Sequence, residues 1–361
     1  SPDFYGGARI GDNRHADSVV ALRASTGERV WSFQTVHHNL WDYDVGSQPV
    51  LIDLDLDGES VPAVVQATKM GHVFFLHRET GAPLFPVAER PVPQTDVPGE
   101  GTSRTQPFPT WPPPLVPQGL RPEDAWGLTP WDRGACRDRI RSMRSDGIFT
   151  PPSLEGTVIF PGTAGGSNWG SVAYDPVRRL LIANTTRIAN TVQLIPRDDA
   201  EFDRDRAHYV GRGEQAGTPY VARLGVLVSP FGVPCNPPPW GTLAALDLAS
   251  RELRWEVPLG TVRDLAPVPI PLRWGVPNMG GPLSTAGGVV FIGAALDDYL
   301  RAFDVETGDE LWKGRLPAGG QATPMTFRVR PDGRQFVVIA AGGHAQMRST
   351  AGDSLMAFAL P

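Results

Sequence analysis

The residues 35–44, TVHHNLWDYD, place two carboxylates around aromatic side chains in a segment without helical periodicity. Asp42 is flanked by Trp41 and Tyr43. Partial desolvation between two rings raises a carboxyl's pKa and makes it a candidate general base. Lys69 follows 27 residues later, before Met70-Gly71-His72 and among Val64, Val65, Val73, Phe74 and Phe75. An ammonium among apolar neighbours suits an anionic or carbonyl-bearing ligand. Other chemistries fail on spacing. Asp53-Leu-Asp55-Leu-Asp57-Gly58 starts like a calcium loop, but its twelfth position is Val64 where a bidentate Glu is needed, so it reads as a strand ending in an Asp-Gly turn. His37 and His38 are adjacent, so in a strand they point to opposite faces and cannot share one metal. The glycine-rich run 162–170 has neither the Lys-Ser/Thr of a P-loop nor G-x-G-x-x-G spacing, and no G-x-S-x-G elbow exists.

The elements that must position these residues announce themselves as a repeat. VVALRASTGERVW (19–31) recurs as LRAFDVETGDELW (300–312) and as LAALDLASRELRW (243–255), with Ser250-Arg251 in place of the glycine turn. VFFLHRETGAPLF (73–85) is a fourth copy ending in Phe, and LMAF (355–358) begins a fifth. Each copy reads as strand, tight turn, strand and closing aromatic, the signature of a β-hairpin. The closing aromatics Trp31, Phe85, Trp255 and Trp312 are 54, 170 and 57 residues apart, and two degenerate copies fit the long gap. A period near 55 residues predicts an all-β fold, a β-propeller of four-stranded antiparallel blades, about six of them in this length. These aromatics should pack between neighbouring blades.

Composition agrees. The 361 residues hold 40 Gly and 37 Pro, about a fifth of the chain against roughly 12% in ordinary proteins, which disfavours helices and favours short strands joined by turns. With 41% apolar and 20% charged residues the chain can bury a sizeable core. A net charge of −6 offers no basic footprint, so no nucleic-acid partner is expected. No apolar run approaches the ~18–20 residues that span a bilayer. Residues 1–361 read as one domain, with the proline-rich stretch 86–131 as an excursion from the blades. Residues 132–143 can form a short helix beginning near Asp132; Arg133, Arg137, Arg139, Arg141 and Arg144 read as a solvated face, and 201–212 as a second charged loop. Cys136 and Cys235 exclude a multi-disulfide scaffold and a four-thiolate zinc site, but counting leaves their pairing open.

Five motifs carry a resemblance across almost the whole chain: TVHHNLWDYDVGSQP (35–49), ATKMGHVFFLHRETG (67–81), GIFTPPSLEGTVIFPG (147–162), SPFGVPCNPPPWG (229–241), and GRLPAGGQATPMTF (314–327) with AAGGH (340–344). In this order they resemble the membrane-bound quinoprotein dehydrogenases, the pyrroloquinoline-quinone (PQQ) enzymes that oxidise glucose or quinate. The resemblance implies an eight-bladed propeller and a dehydrogenase that oxidises a hydroxyl of a sugar or polyol and passes electrons to membrane ubiquinone. It makes Asp42 the catalytic base and places Lys69 on the quinone oxygens. Asn184 would contact the cofactor, and Met279, Gly280 and Gly281 would lie against its ring, the glycines allowing close backbone approach. His344 would help set substrate specificity; Trp169 and Trp240 read equally as channel aromatics or blade-core packing. The resemblance further implies membrane helices and more blades ahead of residue 1, carrying the ligands for calcium or magnesium, with no metal ligands expected in this chain and a location on the periplasmic side of the bacterial inner membrane. The opening residues read as the interior of a blade. The 361 residues alone are therefore expected to be the C-terminal part of the propeller, to bind PQQ weakly or not at all, and to oxidise no sugar. The competing reading is a propeller that keeps the fold as a binding scaffold and has lost the chemistry.

Overall fold

A computed structural model describes residues 3–198, 211–265 and 269–359. Most of the expected charged loop 201–212 lies outside the described residues. The chain divides into two compact units. The first comprises Ser1–Gly46, Thr68–Gly166 and Arg187–Pro237; the second comprises Ser47–Ala67, Ser167–Thr186 and Pro238–Pro361.

Antiparallel strands dominate both units, as the turn-rich repeat predicts. In the second unit, strands Val172–Asp175, Leu180–Thr186, Gly241–Asp247 and Glu252–Pro258 form one four-stranded sheet. Leu283–Ser284, Val289–Ile292, Tyr299–Asp304 and Glu310–Arg315 form another. Met325–Arg328, Gln335–Ala341 and Ser354–Ala359 form a three-stranded sheet. Leu180, Ile182, Leu243, Ala245, Trp255, Val290, Ile292 and Phe303 share one buried cluster between the two four-stranded sheets. The hairpin Val50–Leu56 with Glu59–Ala67 turns at Asp57 and Gly58, both at positive φ, so the calcium-loop lookalike is the Asp-Gly turn its sequence suggests.

The first unit has a four-stranded sheet of Thr157–Ile159, Asn190–Pro196, Tyr220–Val226 and Gly211–Gly213, and hairpins Ser18–Leu22 with Arg29–Gln34 and Val87–Pro91 with Thr105–Pro109. The helix Pro130–Arg141 is capped by Thr129, whose hydroxyl accepts from the Asp132 amide. Cys136 on this helix is disulfide-bonded to Cys235, resolving the pairing that cysteine counting leaves open. Both lie in a buried cluster with Leu120, Ile140, Val158, Phe160 and Leu227.

Two sheets are interleaved along the sequence, which the repeat does not show. The chain lays down Leu180–Thr186, builds Asn190–Pro196 and Tyr220–Val226 in the first unit, then returns to pair Gly241–Asp247 with Leu180–Thr186. The 170-residue gap between closing aromatics therefore holds strands of three sheets, two of them in alternation, not a simple succession of copies.

The closing aromatics have a specific task. The Trp31 indole donates to the Arg78 carbonyl at 3.0 Å and lies on Gly81, the turn glycine of the following copy. Trp255 repeats the arrangement on Val305, at 2.9 Å, and Gly308. Phe85 packs on Phe75 and Trp111. Trp312 stacks edgewise on Phe358 but leaves 40% of its surface open, so it covers its neighbour less completely than expected.

Candidate active site

In the first unit, Trp41 and Tyr43 anchor the loop that presents Asp42. Both are buried; the Trp41 indole donates to the Thr150 carbonyl at 2.7 Å and the Tyr43 hydroxyl to the Pro161 carbonyl at 2.6 Å. The Phe149 ring meets both edgewise. Held on each side, Asp42 takes φ +58, a left-handed conformation uncommon outside glycine and better tolerated by Asp and Asn. Lys69, only 7% exposed, donates through Nζ to the Asp42 carbonyl at 3.0 Å and to its Oδ1 at 3.2 Å, and also to Asp44 Oδ1. The structure thus brings Asp42 and Lys69 together and adds Asp44.

Burial pushes the Asp42 carboxyl up to about 7; Lys69 pulls it back down, and the neighbouring Asp44 pushes it further up. Yet 35% of the Asp42 side chain stays open, so a desolvated carboxyl remains reachable by a small molecule. A base that changes protonation near neutrality, with an ammonium in contact, can accept a proton from a hydroxyl.

In the second unit, Asn184 sits in the wholly buried strand Leu180–Thr186. Its Nδ2 donates to Asn278 Oδ1 at 2.6 Å and to the Gly280 carbonyl at 2.8 Å. Its Oδ1 is buried and has no hydrogen-bond partner among the described residues. The loop at 278–281 is packed backbone on backbone: a Cβ at Gly280 would lie 2.6 Å from the Gln321 carbonyl oxygen, and one at Gly281 would lie 1.9 Å from that of Gly170. The glycines are thus required by neighbouring protein backbone, a different reason from the cofactor approach expected of them. Met279 is buried, and its carbonyl accepts from the Gly170 amide at 3.2 Å. The Trp169 ring, 37% exposed, lies 5.0 Å from that of His344. Trp240 is buried edge-on to Trp274, which places it in packing.

Comparison with known proteins decides the lineage. The family of PQQ proteins described as glucose/ethanol/alcohol dehydrogenase, beta-propeller domain, matches residues 1–337. The chain belongs to that family. This PQQ propeller is 43% identical to quinoprotein glucose dehydrogenase of Escherichia coli strain K12, over 100% of this chain and 46% of that protein. It is 42% identical to quinate/shikimate dehydrogenase (quinone) of Acinetobacter baylyi, over the same shares. It is 43% identical to the glycerol dehydrogenase large subunit of Gluconobacter oxydans, over 99% and 51%. The PQQ propeller therefore spans about half the length of these relatives. Among solved structures, quinohemoprotein alcohol dehydrogenase from Comamonas testosteroni superposes with TM-score 0.59 at 23% identity, covering 99% of this chain and 45% of that one, which supports the propeller fold. The fold class and the family expected from the motifs are both borne out.

Proposed function

We propose that these residues form the C-terminal part of the catalytic propeller of a PQQ-dependent dehydrogenase that oxidises a hydroxyl of a small sugar or polyol, of the glucose or quinate class. The observation that carries it is the contact of Lys69 with Asp42, a reachable carboxyl that burial brings to about 7. The residues fit the cofactor. Lys69 offers a positive donor to quinone oxygens, and Asn184 Oδ1 is a buried acceptor without a partner, with Met279, Gly280 and Gly281 alongside. When bound, PQQ would supply an ortho-quinone able to accept a hydride, with its electron pair, from the carbon of an alcohol.

Asp42 takes the substrate hydroxyl's proton on its carboxylate. Lys69 serves it twice over, holding the side chain in place and keeping enough of it ionised at neutral pH. Asp44 lets Lys69 remain paired once Asp42 is protonated. His344, against Trp169, contacts the substrate. Calcium or magnesium accompanies the cofactor, on ligands outside these residues. Ubiquinone takes the electrons at the periplasmic side of the inner membrane. The Cys136–Cys235 bond supports an oxidising compartment of that kind. No described helix is long and apolar enough to cross a membrane.

The test uses the natural polypeptide that carries this chain, loaded with PQQ and calcium and assayed by dye reduction with glucose, quinate and glycerol. Turnover of a sugar or cyclic polyol supports the reading; tight PQQ binding without turnover of any of the three supports the scaffold instead.

A further inference from the structure

Gln321 lies in the turn between strands Glu310–Arg315 and Met325–Arg328. It is 5% exposed, and neither its Nε2 nor its Oε1 has a hydrogen-bond partner among the described residues. A buried carboxamide unsatisfied at both ends is rare, because each orphaned group forgoes water without compensation. Its position gives the reason. The Gln321 backbone packs directly on Gly280, and Thr323 Oγ1 accepts from the Gly281 amide at 3.2 Å. Asn184 Nδ2 donates to that same Gly280, at its carbonyl, and leaves its own Oδ1 orphaned. Gly280 is thus touched by the Gln321 backbone and by the Asn184 side chain, two residues whose buried carboxamides hold, among the described residues, two free acceptors and one free NH2 group.

We propose that Gln321 is a cofactor-binding residue whose carboxamide hydrogen-bonds the polar edge of PQQ. This rests on the cofactor assignment made above. A carboxamide is a neutral side chain that donates and accepts at once. PQQ offers matching groups, carboxylate and carbonyl oxygens for the NH2 and a pyrrole N–H for Oε1. The segment GGQATP (319–324) supplies both this side chain and the Thr323 hydroxyl that fixes the loop.

Two variants of the natural polypeptide test the assignment, Gln321→Leu and Gln321→Glu. Two readouts are needed: the melting temperature of the cofactor-free protein, and the PQQ dissociation constant in the presence of calcium, from quenching of tryptophan fluorescence. Gln321→Leu removes an unsatisfied buried amide, so the cofactor-free protein should melt at the same or a higher temperature. Its PQQ affinity should fall about 10- to 100-fold, the loss of one or two hydrogen bonds to a charged ligand. Gln321→Glu keeps size and polarity, so it remains informative even where the leucine variant fails to fold. It replaces the donor by an anion facing an anionic ligand, and its affinity should fall at least as far at pH 8. Unchanged affinity in either folded variant overturns the assignment, and a lower melting temperature with unchanged affinity in Gln321→Leu identifies a purely structural, water-bonded glutamine. Failure of the unsubstituted protein to bind PQQ refutes the cofactor reading itself, which separates the two failures.

Discussion

Asp42 owes its chemistry to the two rings beside it. Because Trp41 and Tyr43 are each pinned by a buried hydrogen bond to a distant carbonyl, the residue between them cannot relax into an ordinary conformation. Burial then raises its carboxyl to about 7, against the opposing pull of Lys69. The proposed base must be ionised to act, so the substrate-saturated rate should rise with pH through about 7 and level off above it. Replacing Lys69 with Met removes the charge that lowers this pKa. The acid limb of the pH–rate profile should therefore move to higher pH in Lys69→Met, and a limb that stays in place or moves down would separate Lys69 from the base. Asp42 and Lys69 were legible because an aspartate between aromatics and a lysine in an apolar run are both unusual. Asp44 was not singled out, since its role depends on where the Lys69 ammonium ends, which no spacing reveals. Gln321 was hidden for a similar reason: a glutamine is an ordinary turn residue until its burial and lack of partners are seen.

At the scale of the element, the Thr-Gly repeat is a docking device. Gly308 takes φ +76 and lies under the Trp255 ring, where an added Cβ would come within 2.7 Å. Gly27 occupies the same place in its own copy, at φ +74, with nothing within 4 Å. Gly27→Ala should therefore lose only the left-handed strain, about 1 kcal/mol. Gly308→Ala adds overpacking against the indole and should lose about 2–4 kcal/mol in all. Urea unfolding of the two variants checks this, and equal losses would remove the ring from the account. The repeat was readable because a turn needing positive φ and a bulky aromatic at a fixed offset both leave a mark in sequence. The interleaving of Leu180–Thr186 and Asn190–Pro196 into different sheets was not, because strand pairing is set by contacts between distant segments.

For the molecule as a whole, the motifs carried further than the periodicity. Five segments in order named the family, whereas the period by itself gave only a propeller. The disulfide adds a constraint that cysteine counting left open. It closes a sequence separation of 99 residues, so the double variant Cys136→Ala/Cys235→Ala should lose about 2–4 kcal/mol of stability to denaturant. A loss well under 1 kcal/mol would mean that the helix Pro130–Arg141 is held by packing alone. The central claim, that Asp42 is the base of a PQQ-dependent hydroxyl oxidation, meets its most direct test in one comparison. Asp42→Asn in the natural polypeptide, loaded with PQQ and calcium, is assayed by dye reduction alongside the unsubstituted protein, with PQQ binding measured in both. The account predicts PQQ affinity within a few-fold of the unsubstituted protein and turnover lowered by ~10² to 10⁴, because an amide cannot take the hydroxyl proton. Turnover within a few-fold of the unsubstituted protein would contradict it.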